Sequence, residues 1–153
     1  MSAPLTGPPD IRRIETDTQA AACYPLIQQL RPHIASADAF IARWRRQENA
    51  GYRLVALWNA GAPVGVAGYR LQENLFQGLH FYVDDLVTDE TARSAGHGHA
   101  LMAWLKDEAY RTGCKQLVLD TALTNMLGHR FYFRQGLLAR AFRFSIDLEA
   151  AVA

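Results

Sequence analysis

Residues 93–101, RSAGHGHAL, stand between an apolar run, YVDDLV, and a helix-like stretch, ALMAWLKDEAYRTG. Two glycines, Gly96 and Gly98, where a strand hands over to a helix leave two readings. The backbone closes around a phosphate, or the chain needs a sharp turn with positive φ. The unpaired N–H groups at a helix start point outward, and the helix dipole adds roughly half a positive charge there. Glycine lets an anion approach without meeting a β-carbon.

The flanking chain limits the choice. A strand over 11–15 (IRRIE) leads to a helix over 17–29, which Asp17 can cap and Pro32 ends. A second helix, from Ser36 or Asp38 to Gly51, carries Phe40, Ile41 and Trp44 as its apolar stripe and arginines on the other face. RLVALWN and VGVAGYRLQ, joined by AGAP, read as a hairpin, and LHFYVDDLVT as the next strand. After the glycine loop come a helix over 98–111, a short apolar strand, KQLVLD, and a short helix ending at Gly136. KQLVLD reads as central and parallel to the strand before the helix. LARAFRFSIDL alternates apolar and polar residues and reads as a final strand. The order β-α-α-β-β-β-α-β-α-β predicts an α+β fold in one domain over 11–150. Residues 1–10, with three prolines, read as a disordered lead-in.

Bulk properties exclude several classes. The 153 residues suffice for one core, half of them are hydrophobic, and the net charge is +1. No global field favours nucleic acid or an anionic membrane. No apolar run approaches a membrane span, and no secretory signal precedes the first strand. Cys23 and Cys114 lack metal-ligand spacing; one disulfide is open to them, but buried free thiols in a cytoplasmic protein is the reading taken. No metal is expected.

Nucleotide-binding templates test the glycines. A phosphate-binding GxxxxGK[ST] is absent, and the dinucleotide GxGxxG fails because position 101 is Leu and too little chain remains for a doubly wound sheet. Arg93-x-x-Gly96-x-Gly98, after a strand ending in DLVT, resembles the [QR]-x-x-G-x-[GA] motif of the GNAT superfamily of acetyl-coenzyme A-dependent N-acetyltransferases. Asn125-x-x-Gly128-x-x-Phe131-Tyr132-x-x-x-Gly136 is similar to that family's N-x-x-A-x-x-F-Y-x-x-x-G segment. The resemblance covers about residues 11–148. It implies an α/β/α sandwich around a mixed, mostly antiparallel twisted sheet whose central parallel strands splay apart.

The resemblance also implies roles. Backbone N–H groups of Ser94, Ala95, Gly96, His97, Gly98 and His99 would cradle the coenzyme's pyrophosphate, with Arg93 a further cofactor-binding residue of the motif. Leu86, Val87 and Thr88 would pair their backbone with its pantetheine amides as an added strand would. Asn125 would bond the pantetheine arm, with a helix N-cap as the alternative. Tyr132 would stand near the thioester sulfur as general acid, with a half-buried core tyrosine as the alternative.

Acetyl transfer to an amine needs a neutral nitrogen, although a lysine-like amine has a pKa near ~10.4. Asp84 and Asp85 lie in a strand, which aspartates disfavour, and polyamine-type family members have a similar pair there. Adjacent strand residues face opposite sides, so Asp84 is read as base and Asp85 as a substrate or structural contact; a local bulge would swap them. Surface ion pairs are the alternative for both. The expected acceptor is a small-molecule amine or a protein amine, with Glu73 a further contact for a cation. A non-catalytic acetyl-coenzyme A sensor is the alternative function. The final strand can meet a second copy's edge in a homodimer.

Overall fold

The computed structural model describes residues 4–92 and 95–149. The chain divides into two compact units, the first ending at Leu119 and the second beginning at Asp120.

The first unit is built on a sheet of strands β1 (Asp10–Arg13), β2 (Arg53–Asn59), β3 (Ala62–Asn74), β4 (Gly78–Thr88) and β5 (Leu117–Leu119), in that spatial order. Neighbours from β1 to β4 are antiparallel, while β4 and β5 are parallel. The β2–β3 turn consists of Ala60 and Gly61, both with positive φ, the hairpin geometry that follows the right-handed twist of the strands.

Helices cover both faces. Leu54, Ala56 and Val66 point to one side and pack with Cys23, Ile27 and Trp44 of α1 (Asp17–Leu30) and α2 (Ala37–Asn49). Val55, Leu57 and Ala67 point to the other and pack with Leu101 and Leu105 of α3 (His97–Arg111). The period of two along a strand buried on both faces accounts for the near-continuous apolar run in β2. Gly65 lets α3 approach, because a β-carbon there would stand 2.7 Å from Leu101 Cδ1. Both cysteines are buried and free. No helix among the described residues is long and apolar enough to cross a membrane.

Several boundaries differ from the sequence-based expectation. Thr16, not Asp17, caps α1, in a reciprocal capping box with Gln19. Ser36 caps α2. KQLVLD does form a strand parallel to β4, but β5 is the last strand of the sheet and not a central one. Residues 137–147 form no strand, and their alternating apolar side chains are exposed, Phe144 at 91%. Alternation marks a strand only where a neighbouring edge accepts its N–H and C=O groups, and no ladder includes this segment among the described residues. The second unit contains α4 (Met126–Arg134), the short helix expected before Gly136.

Candidate active site

The acidic pair sits on an irregularity of β4. Gly68 pairs with Asp85 while the next β3 residue, Tyr69, pairs with Val83, which leaves Asp84 as an extra residue. Such a bulge sets two residues against one and breaks the alternation of faces. This is the bulge that would exchange the two aspartates. Asp85 turns to Arg31 and Tyr52 and lines the α1/α2 cleft, whereas the Asp84 carboxylate meets Arg70 of β3 and is not among the cleft's lining residues. Asp85 Oδ1 accepts from Arg31 through Nε at 3.0 Å and Nη2 at 2.9 Å, and Oδ2 accepts from the Tyr52 hydroxyl at 2.8 Å. Asp84 Oδ2 accepts from Arg70 Nε at 2.9 Å, and Arg70 Nη2 donates to Gln47 Oε1 at 3.2 Å.

The two aspartates differ in what is left over. Both oxygens of Asp85 are engaged. Asp84 keeps Oδ1 without a partner among the described residues, and burial raises its pKa above the ordinary carboxylate value in spite of Arg70, which acts the other way. Burial and the neighbouring Asp85 charge push the Tyr52 phenol well up, so it stays a donor.

Local sequence explains how the partners arrive. Pro32 disfavours helical geometry at the residue before it, and Arg31 stands at the C-cap of α1 with φ −127°. From there its guanidinium reaches β4 and also donates to the Asp84 carbonyl at 3.0 Å. Arg31, Gln47, Tyr52 and Arg70 were not singled out from the sequence, since each is an ordinary residue of a helix end, helix or strand. The Pro32 break was the one local signal.

Asp85 and Tyr52 line a cleft of about 230 Å³. Phe40, Arg43, Trp44 and Gln47 form its α2 wall at i, i+3, i+4 and i+7, one helical stripe. Arg43 thus shares the aromatic face of α2, where the sequence placed arginines on the opposite one. Glu73 lies on the exposed extension of the β3–β4 hairpin and does not line the cleft.

At the opening of α3, Gly96 is the N-cap in left-handed geometry, φ 84°, and supplies no side-chain cap. The first helix bond closes from Ala100 N to Gly96 O, and the first turn of a helix leaves N–H groups without intrahelical acceptors, here at His97 and Gly98. No acidic residue lies in the first turn, and a β-carbon on Gly96 would meet open space. These features suit a phosphate. His97 is 2% exposed, and its two ring nitrogens have no partner among the described residues, whereas His99 is exposed. Ala95 precedes the cap; Arg93 and Ser94 lie outside the described residues. β4 runs past the end of its ladder with β5, which stops at Val83↔Leu119. Leu86, Val87 and Thr88 pair with β3 only in the strand ladders of this unit, which suits an extended chain with amides to share.

In the second unit, Asn125 caps α4: its Oδ1 accepts from Gly128 N at 3.1 Å and its Nδ2 donates to Thr121 Oγ1 at 2.9 Å. A β-carbon on Gly128 would collide with that side chain, so the glycine makes room for the cap. Tyr132 is half-buried, edge-on to Phe131 at 5.4 Å, and its hydroxyl has no partner among the described residues. Burial raises its pKa.

A mixed sheet with a glycine-led helix start beyond one strand agrees with the fold class of the N-acetyltransferases that the sequence resembles. Comparison places the chain within it. The acetyltransferase (GNAT) family profile matches residues 15–137, and the chain belongs to that family. An aminoalkylphosphonate N-acetyltransferase of Salmonella typhimurium is 31% identical over 132 residues, 86% of this chain and 84% of that protein. An uncharacterised N-acetyltransferase of Bacillus subtilis is 26% identical over 80% of this chain and 86% of its own. Among solved structures, an aminoglycoside N-acetyltransferase in complex with coenzyme A superposes with a TM-score of 0.80 at 18% identity, covering 95% of this chain and 99% of that one. An acetyltransferase of Trypanosoma brucei superposes at 0.73 with 23% identity over 92% and 99%. The protein is an acyltransferase of the N-acetyltransferase type.

Proposed function

We propose that the protein moves the acetyl group of acetyl-coenzyme A to the primary amine of a small molecule held in the α1/α2 cleft. Acetyl-coenzyme A supplies the acetyl group and departs as the thiol. The loop of residues 93–99 holds its pyrophosphate through backbone N–H groups. Leu86, Val87 and Thr88 align its amide arm, with Asn125 a further contact. Asp84 takes the amine's proton, directly or through water. Tyr132 gives a proton or hydrogen bond to the sulfur.

The observation that carries this reading is the asymmetry of the acidic pair. Asp85, saturated by Arg31 and Tyr52, is fixed as a wall of the cleft. Asp84, which does not itself line the cleft, retains an oxygen without a partner among the described residues and a pKa raised by burial, which supports a base that acts through water. A cleft of about 230 Å³ suits a small amine. The Salmonella relative acts on an aminoalkylphosphonate by its name, an acceptor of that size. Release of coenzyme A thiol over a panel of amines tests the reading. Binding of acetyl-coenzyme A without thiol release from any amine would leave only a sensor.

A further inference from the structure

The cleft holds a surplus of positive charge where a cationic acceptor must enter. Arg31 and Arg43 line it, beside the His33 ring, against a single lining carboxylate, Asp85. That carboxylate is already matched to Arg31 by two contacts on Oδ1, so the pair carries no net charge toward the cleft. Arg43 is the cation left over. It makes no ion pair or hydrogen bond among the described residues and is exposed at the cleft. Its neighbour Arg45, by contrast, is held by Asp17 and Glu48 and lies 4.2 Å from the centre of the Trp44 ring.

Arg43 stands on α2 where the exposed flank of the apolar stripe meets the cleft. Phe40, Arg43, Trp44 and Gln47 form one stripe, and Phe40 and Trp44 are 5% and 2% exposed. Arg43 is itself exposed beside the two buried rings, so its guanidinium is available at the mouth of the cleft. A guanidinium offers a planar fork of donors that matches carboxylate and phosphonate oxygens in pairs. A plain amine would meet only repulsion at this wall. A molecule that carries an anion as well as an amine can meet Arg43 with one end and turn its amine toward Asp85, the lining carboxylate.

We propose that Arg43 is an anion-binding specificity residue, and that the acceptor is a short amine bearing a phosphonate or carboxylate a few bonds from the nitrogen. His33, on the same cleft, supplies a further ring N–H to the anion. This deepens the acetyltransferase reading of the site and rests on it.

The test compares 2-aminoethylphosphonate, β-alanine and n-propylamine, which are matched in length and differ in the end opposite the amine. Thiol release is measured for the wild type, Arg43→Ala and Arg43→Lys. The wild type is expected to favour both anionic amines over propylamine in kcat/KM. Arg43→Ala should cut that ratio about ten- to hundred-fold, the loss of one charge-assisted contact, mostly through KM, and Arg43→Lys should restore part of it. The two anionic arms separate phosphonate from carboxylate as the preferred group. A ratio that favours propylamine, or that Arg43→Ala leaves unchanged, overturns the clamp while acetyl transfer stands. Separately, 2-aminoethylphosphonate binding is followed by calorimetry. Binding by the wild type that weakens in Arg43→Ala, with no thiol release from any amine, would uphold the clamp and remove the transfer reaction. Neither binding nor turnover would remove both.

Discussion

The hydroxyl of Tyr52 occupies the space that a β-carbon on Gly68 would need, and from there it donates to Asp85 Oδ2 at 2.8 Å. Gly68 is also the residue paired with Asp85 across the bulge. One glycine thus lets a buried phenol cross the sheet to the carboxylate that walls the cleft. Gly68→Ala should displace Tyr52, lower stability by about 1–3 kcal/mol as overpacking does, and raise KM for the amine. Tyr52→Phe removes the bond but keeps the ring. If thermal melts and amine KM respond to Gly68→Ala no more than to Tyr52→Phe, the close approach has no functional weight.

Asp84→Asn should lower turnover chiefly at neutral pH and recover in part at high pH, where the amine loses its proton to solvent. The wild-type acid limb of kcat/KM should lie above the ordinary carboxylate pKa of 3.8, since burial raises Asp84. The stability effect has a defined sign. A carboxyl whose folded pKa is raised contributes its stability below the unfolded pKa, and that contribution is lost as pH rises through the folded value. Asparagine stays neutral and can still accept from Arg70, so the variant should stay folded at neutral pH. A scaled pH–rate profile that superimposes on the wild type would remove Asp84 as base.

At the helix start, Gly96→Asp should weaken acetyl-coenzyme A binding at least about tenfold while the fold survives. The new β-carbon meets open space, and aspartate tolerates left-handed geometry better than most residues. Its carboxylate would cap α3 itself and so compete with the coenzyme for the same N–H groups. Gly96→Ala bears the left-handed strain without the charge. Calorimetry with both variants separates strain from competition; equal affinities in the two would count against a phosphate at this cap.

Much of this was legible in the chain before its coordinates. The strand, glycine loop and helix over β4 and α3 follow from local chemistry, because a glycine at a left-handed cap leaves a mark in sequence. The acidic pair was visible as aspartates where a strand disfavours them. What holds them was not. Arg31 lies 54 positions from Asp85 and Tyr52 lies 33 away, and no periodicity records a bond of that span. The bulge at Gly68/Tyr69 is a property of two strands together and left no motif in either. The same reason explains residues 137–147: alternation describes one strand's faces and says nothing of whether an edge receives it. Asn125 shows a third limit, since one side chain fits both a helix cap and a ligand contact, and the cap is the bond made within its unit.

Tyr132 offers the sharpest test of the chemistry. Its hydroxyl has no partner among the described residues, so Tyr132→Phe should leave the folded protein as stable as before near neutral pH. The ring and its packing against Phe131 remain. Burial raises the phenol pKa, so the wild-type proton is in place across neutral pH and is lost only under alkaline conditions. A donor that acts on the departing sulfur only in the transition state should, when removed, lower kcat and kcat/KM together. The expected loss is about 10²-fold, the low end for general acid–base catalysis, because a thiolate is already a fair leaving group. Stability gives an independent sign. A tyrosine with a raised folded pKa contributes stability below its unfolded pKa that is lost as pH climbs through the folded one. The phenylalanine variant should therefore lose less stability than the wild type in alkaline melts. The two readouts divide the alternatives: a core tyrosine alone predicts the alkaline difference with normal turnover. Normal kcat with a good acceptor, at a pH where the wild-type phenol is protonated, would take Tyr132 out of the mechanism.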